Sequence, residues 1–127
     1  MNGYGIFFWK DGRIYKGYYK DDKKHNFGMY YKSEGKKYEG YWENGAQKNL
    51  GRYTKSEDLF KLGIWNENAL QEHFTSDFPD FEEKMNEIEE AIEQTNIQVD
   101  NIIQNLRECF GIFLPNSSIE DFLQINE

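Results

Sequence analysis

The sequence predicts a mainly β protein with a helical end: an antiparallel β-hairpin repeat solenoid, a single-layer sheet, followed by a long C-terminal amphipathic or coiled-coil helix and a short terminal helix. Three observations predict this. Glycines and aromatics recur together at a stride of 23 residues, as in Gly5, Gly28 and Gly51, in Gly17, Gly40 and Gly63, in Phe7, Tyr30 and Tyr53, and in Tyr19, Trp42 and Trp65. A fixed period of this length marks a row of supersecondary units that bury their surfaces against one another. The composition then changes: all nine tyrosines and ten of the eleven glycines precede residue 64, and both prolines follow it. From Phe81 to Phe110, finally, apolar residues fall at spacings of four and three, the mark of one helical face.

Each repeat reads as a hairpin. A short strand from the first glycine leads into a turn, a second strand follows, and a polar loop leads to the next hairpin. Asp11-Gly12 and Glu34-Gly35 supply the turns, because glycine accepts the positive φ that tight hairpins demand. Side chains alternate across a strand. Phe7, Tyr15, Tyr19, Tyr30, Tyr38, Trp42, Tyr53 and Trp65 therefore share one face, and the glycines between them leave room for rings to lie on the sheet. The opposite face carries Lys16, Lys20, Lys37, Glu39 and Glu43 and is expected to be mostly wet. In the third repeat that face turns apolar at Phe60, Leu62 and Ile64, with Ala69, Leu70, Phe74 and Phe78 expected to cover it. Residues 1–66 are thus assigned to about three hairpin repeats, the first preceded by a partial repeat, residues 67–78 to a connector or cap, and 79–127 to a helical region.

The helix is expected after Pro79, suited to a first turn, and to stop before Gly111 and Pro115. Its seam runs through Phe81, Met85, Ile88, Ile92, Val99, Ile102 and Leu106, with Thr95 and Cys109 completing the spacing. The polar pair Thr95-Asn96 is a place where the helix could kink. A seam sustained for about four heptads fits a coiled coil, and a globular amphipathic helix fits it equally. Ser117-Ser118-Ile119-Glu120 has the form of a capping box and predicts the terminal helix.

Tyr38-Glu39-Gly40-Tyr41-Trp42, Tyr15-Lys16-Gly17-Tyr18-Tyr19 and His25-Asn26-Phe27-Gly28 are similar to the membrane occupation and recognition nexus (MORN) repeat. The resemblance covers residues 3–65, about half the chain. The third repeat departs from it, with Lys61 where Tyr15 and Tyr38 stood and Asp58 where Gly12 and Gly35 stood, and reads as a terminal one. The resemblance implies roles in cytoskeletal, ciliary or junctional assemblies, in lipid-directed targeting, or as a non-catalytic appendage of a lipid kinase or methyltransferase.

The formal net charge of −8 hides an asymmetry. Residues 1–55 hold twelve Lys and Arg against six Asp and Glu, net +6, and residues 56–127 hold three against seventeen, net −14. At 127 residues the chain has room for one domain, with or without an appendage. The apolar run Ile6 to Trp9 is broken at once by Lys10 and Asp11, so no secretory leader is read. Cys109 is the only cysteine, which excludes an internal disulfide and points to an intracellular, cytoplasmic setting. With His25 and His73 alone beside it, no zinc cluster assembles. No nucleophile and base form a recognisable motif and no glycine loop cradles phosphate. The sequence predicts no catalytic, cofactor or metal site.

What remains is protein–protein interaction in a scaffold. The candidate contact residues are Tyr15, Tyr19, Tyr38, Trp42 and Trp65 on the sheet and Ile88, Ile92, Val99, Ile102 and Leu106 on the helix. Partners are expected to be other protein chains, docking on the helix seam or on the N-terminal sheet edge near Gly5 to Lys10, with a homodimer through the helix as one form. The scattered lysines place a phospholipid surface second, and the acidic total places nucleic acid last.

Overall fold

The computed structural model describes residues 2–110. The terminal helix expected near Ser117 and the sulfur of Cys109 lie outside what it describes.

Seven strands form one antiparallel meander in chain order: β1 (Gly3–Phe8), β2 (Ile14–Lys20), β3 (Lys23–Tyr31), β4 (Lys37–Glu43), β5 (Ala46–Ser56), β6 (Leu59–Asn66) and β7 (Ala69–Phe74). One helix, α1 (Phe81–Phe110), follows. The fold class expected from the sequence is the one observed. The loops expected between hairpins, however, are tight turns: Asp21-Asp22, Asn44-Gly45 and Glu67-Asn68 all have positive φ and stand one repeat length apart. Asp and Asn tolerate the left-handed region better than most side chains, so each pair closes a two-residue turn as glycine does. The strands consequently run on to these turns and the hairpins merge into one sheet.

The turn Glu67-Asn68 also corrects the expected connector at residues 67–78. It returns the chain as β7, pairing Leu62 with Phe74 and Asn66 with Ala69. β1 and β7 are therefore the outermost strands.

The register lines up the glycines across the sheet. Gly5 faces Gly17, Gly17 faces Gly28, Gly28 faces Gly40, Gly40 faces Gly51, and Gly51 faces Gly63. This row is the floor on which the rings lie. A Cβ added at Gly28 would collide with the ring and hydroxyl of Tyr15, and one at Gly51 with those of Tyr38.

Helix α1 lies across the other face and touches β1 through β5. The expectation of a wet face fails here. Phe27, Met29, Leu50, Leu62 and Phe74 from the sheet and Ile88 from the helix form a second buried cluster, joined by half-buried Phe78, Phe81, Met85 and Ile92. Lys20 and Glu43, at the strand ends, are exposed as expected, but the polar positions nearer the helix are used rather than solvated. Glu39 is only 3 % exposed, and Arg52 donates to its Oε1 from Nε at 3.1 Å and Nη2 at 3.0 Å while Nη1 reaches Glu89 of the helix at 2.7 Å. Of the residues expected to cover Phe60, Leu62 and Ile64, Phe74 and Phe78 join Leu62 and Ile64 in this cluster, whereas Leu70 packs on the ring face, Ala69 is exposed and Phe60 is left exposed.

The helix begins two residues past Pro79, and the Asp80 carbonyl accepts its first turn from Lys84 N at 3.0 Å. Thr95-Asn96 does not break it. Thr95 is buried, and Asn96 Oδ1 accepts from Lys16 Nζ of β2 at 3.0 Å. No helix among the described residues is long and apolar enough to cross a membrane.

Candidate functional site

The ring face is built twice from one pattern. Tyr15 Oη donates to the Tyr18 carbonyl at 3.0 Å, and Tyr38 Oη to the Tyr41 carbonyl at 3.4 Å. Trp42 Nε1 donates to the Gly28 carbonyl at 3.2 Å, and Trp65 Nε1 to the Gly51 carbonyl at 3.1 Å. Each bond recurs one repeat further along the chain. Tyr15 meets Trp42 edge to face with centroids 5.8 Å apart, and Tyr38 meets Trp65 likewise at 5.4 Å. These T-shaped contacts suit the aromatic quadrupole. Burial pushes the hydroxyl pKa of Tyr15 well above the ordinary tyrosine value and raises that of Tyr38 too.

All five predicted sheet residues fall in this one cluster: Tyr15, Tyr19, Tyr38, Trp42 and Trp65, with Phe7 and Trp9. They are buried by one another, so their main office is structural. The surface that remains is a groove of about 490 Å³ bordered by Lys24, Lys32, Trp42, Gln47, Tyr53 and Trp65.

Two cations stand over rings there. Lys24 Nζ is 5.0 Å from the centroid of Tyr30, 5.2 Å from Trp9, and 5.5 Å from Tyr15 and from Trp42. Lys32 Nζ is 5.7 Å from Tyr53. The ring quadrupole attracts an ammonium at such range. Shifting the first cage by one repeat gives Tyr38, Tyr53 and Trp65 again, but with Gln47 in the place of Lys24 and Lys32 in the place of Trp9. The same ring positions thus stand beside the Lys24 ammonium in one repeat and beside Gln47 and the Lys32 ammonium in the next.

The predicted helix residues divide differently. Ile88 and Val99 are fully buried, and Ile92, Ile102 and Leu106 are half-buried. The part of the seam read as a surface for another chain is occupied by the protein's own sheet. The physical reason is the apolar patch on that face, Met29, Leu50 and Leu62, whose depth the alternating charges of β2 and β4 concealed.

Sequence reasoning counted Lys24 only among the scattered lysines that could face a phospholipid surface, missing its place over the rings, and it missed Gln47. Their signal was the Asp21-Asp22 turn, which sets Tyr19 opposite Lys24, and its repeat at Asn44-Gly45, which sets Trp42 opposite Gln47. Among the described residues no group of His, Cys, Asp and Glu is placed to hold a metal ion. Compared with protein-family models and with curated proteins, the chain matches none.

Proposed function

We propose that the chain is a non-catalytic protein-interaction module, a scaffold subunit of a larger intracellular assembly, whose contact surface is the ring face of the sheet. One observation carries the reading. The helix lies on one face of the sheet across β1 to β5, while the other face keeps an open groove with aromatic walls and two ammonium groups over rings at its border. Concave sites with apolar walls and a few placed polar groups are where partners dock. The recurrence of ring, glycine and turn at one constant stride supports a MORN-type repeat, and with it the assembly role that the resemblance implies.

The test is a photo-cross-linking amino acid at position 47, used in native extract. A protein adduct that is lost in Tyr53→Ala is the expected result. Adducts confined to lipid would replace this reading with the targeting module, and adducts equally abundant from a position on the outer helix face, such as Glu90, would remove it.

A further inference from the structure

The depression along the outer helix face, edged by Glu90, Glu93 and Asp100, is a solvated acidic surface. The buried Arg52–Glu39 pair is explained by its tie to the helix. The ring face carries more, because one arrangement of rings is built twice around different side chains.

We propose that the rings of the second repeat, Tyr38, Tyr53 and Trp65, take up the methylated ammonium of a lysine side chain from a partner protein, in the position that Lys24 holds in the first. This rests on the protein-docking reading above and names the chemistry of the partner. Three observations carry it.

The first is the precedent within the molecule. Lys24 Nζ stands 5.0 Å from the centroid of Tyr30 and 5.5 Å from Tyr15 and Trp42, so a lysine side chain over these rings is an arrangement the fold already uses. One repeat on, the rings keep their mutual placement. Tyr30 meets Trp42 at 6.0 Å and 89°, and Tyr53 meets Trp65 at 6.4 Å and 68°. Gln47 pairs with Trp42 as Lys24 pairs with Tyr19, so the chain itself brings an amide where it brought an ammonium.

The second is access. Gln47, Tyr53 and Trp65 border the open groove, and Gln47 and Tyr53 are half-buried. Among the described residues the Gln47 side chain makes no hydrogen bond, only its backbone being tied to Asn68. A side chain arriving from solvent therefore reaches Tyr53 and Trp65 without breaking a bonded pair.

The third is the absence of strand carboxylates on this side, which selects the methylated form. By register, Glu39 and Glu43 alternate with the ring-face residues Tyr38, Gly40 and Trp42, and Glu72 pairs with Ile64, so the carboxylates of the strands stand on the helix side. An unmodified ammonium is strongly hydrated and seeks acceptors for its three N–H groups. A trimethylated one has no N–H, and ring faces suffice to hold it. Lys32, 5.7 Å from the Tyr53 centroid, adds a like charge at the border, but two cations already share a ring in the first repeat: Arg13 and Lys24 each stand 5.2 Å from Trp9.

The probe is acetyl-Ala-Lys-Ala-amide with its lysine trimethylated, titrated into the whole chain with tryptophan fluorescence as readout. The unmodified peptide, an uncharged isostere with a tert-butyl group in place of trimethylammonium, and phosphatidylcholine vesicles run alongside. Saturable binding of the trimethyl peptide is expected, about tenfold tighter than that of the isostere. Gln47→Lys, which gives the second repeat the cation of the first, should abolish it, and Lys32→Gln should tighten it about threefold. Circular dichroism verifies the fold of the variants; if Gln47→Lys unfolds, Lys32→Gln alone carries the test. Equal binding of the isostere overturns cation recognition and leaves protein docking standing, and equal binding of the unmodified peptide overturns the methyl requirement. Binding that survives in folded Gln47→Lys overturns the site. No binding of the trimethyl peptide overturns the proposal, and the cross-link at position 47 then decides the broader reading by itself. Sedimentation with the vesicles that is lost in Gln47→Lys, in the absence of peptide binding, overturns both.

Discussion

On the ring side of the sheet glycines and most of the rings return with each repeat, whereas on the helix side the matching register row reads Ile6, Lys16, Met29, Glu39, Arg52, Leu62 and Phe74. The strands are the same; the demands on their faces differ. A ring must lie on glycine and offer its hydroxyl to a carbonyl of its own strand, or its indole N–H to one of the strand before it, so repeating the residue repeats the fit. The helix crosses every repeat once, at a different point along its own axis. Each strand therefore meets a different helical residue and needs a different side chain: Arg52 for Glu89, Lys16 for Asn96. Repetition builds a surface that packs on itself, and variation builds one that packs on something unlike itself.

The comparison breaks most sharply where a repeated ring is removed. Tyr38→Ala should cost about 3–5 kcal/mol, because Tyr38 touches Trp42 and Trp65 and fills the space over Gly51. Chemical denaturation measures it, and a loss below about 1 kcal/mol would mean that the ring face is not a core. The helix side answers next. Ile88→Ala should cost about 2–5 kcal/mol, whereas Ile97→Ala, at a site 43 % exposed, should stay within about 0.5 kcal/mol. Equal effects at the two sites would show that the helix does not lie on the sheet by this face.

A smaller effect sharpens the polar half of the helix side. Glu39→Gln should cost about 2 kcal/mol, since Arg52 loses a buried partner but keeps Glu89. Glu89→Gln, at the solvent end, should cost less. The smallest effect per group is the response to alkali. Burial raises the folded pKa of Tyr15 and Tyr38, so these groups contribute stability that is complete below the unfolded value near 10 and is lost as pH rises above it. At pH 11 the loss should be about 1.4 kcal/mol for each buried tyrosine, read as a falling denaturation midpoint. A midpoint unchanged between pH 9 and 11 would show both hydroxyls to be in water.

The ring face was legible in the sequence because periodicity needs no knowledge of partners. Tyr15, Tyr38, Trp42 and Trp65 were placed together from spacing alone, and the hairpin turn at Glu34-Gly35 from its glycine. The helix face was not legible, because Lys16, Glu39 and Arg52 carry the alternation of a solvated strand and only the helix shows where their charges end. The seventh strand was hidden by its turn, Glu67-Asn68, which has no glycine and yet holds positive φ at both residues. Lys24 and Gln47 escaped for a related reason. The register shifts between Gly17 and Tyr19 and between Gly40 and Trp42, where two residues of one strand face four of the next, so Lys24 and Gln47 keep their face but meet ring partners that an even register would not give them.

The helix laid across the strands is also a gauge of repeat number. A duplicated repeat unit would splice into the meander without disturbing turn, glycine row or ring contacts, so exchange of whole units is an open route for the sheet to lengthen. Each such unit would widen the sheet by two strands, about 10 Å, and the helix would need about 6–7 more residues to reach as far. Its fixed partners, Arg52 at one point and Lys16 at another, leave no second register in which to slide. Sheet and helix can therefore grow only in step, and an added repeat without an added length of helix would leave an uncovered apolar strip at the far side.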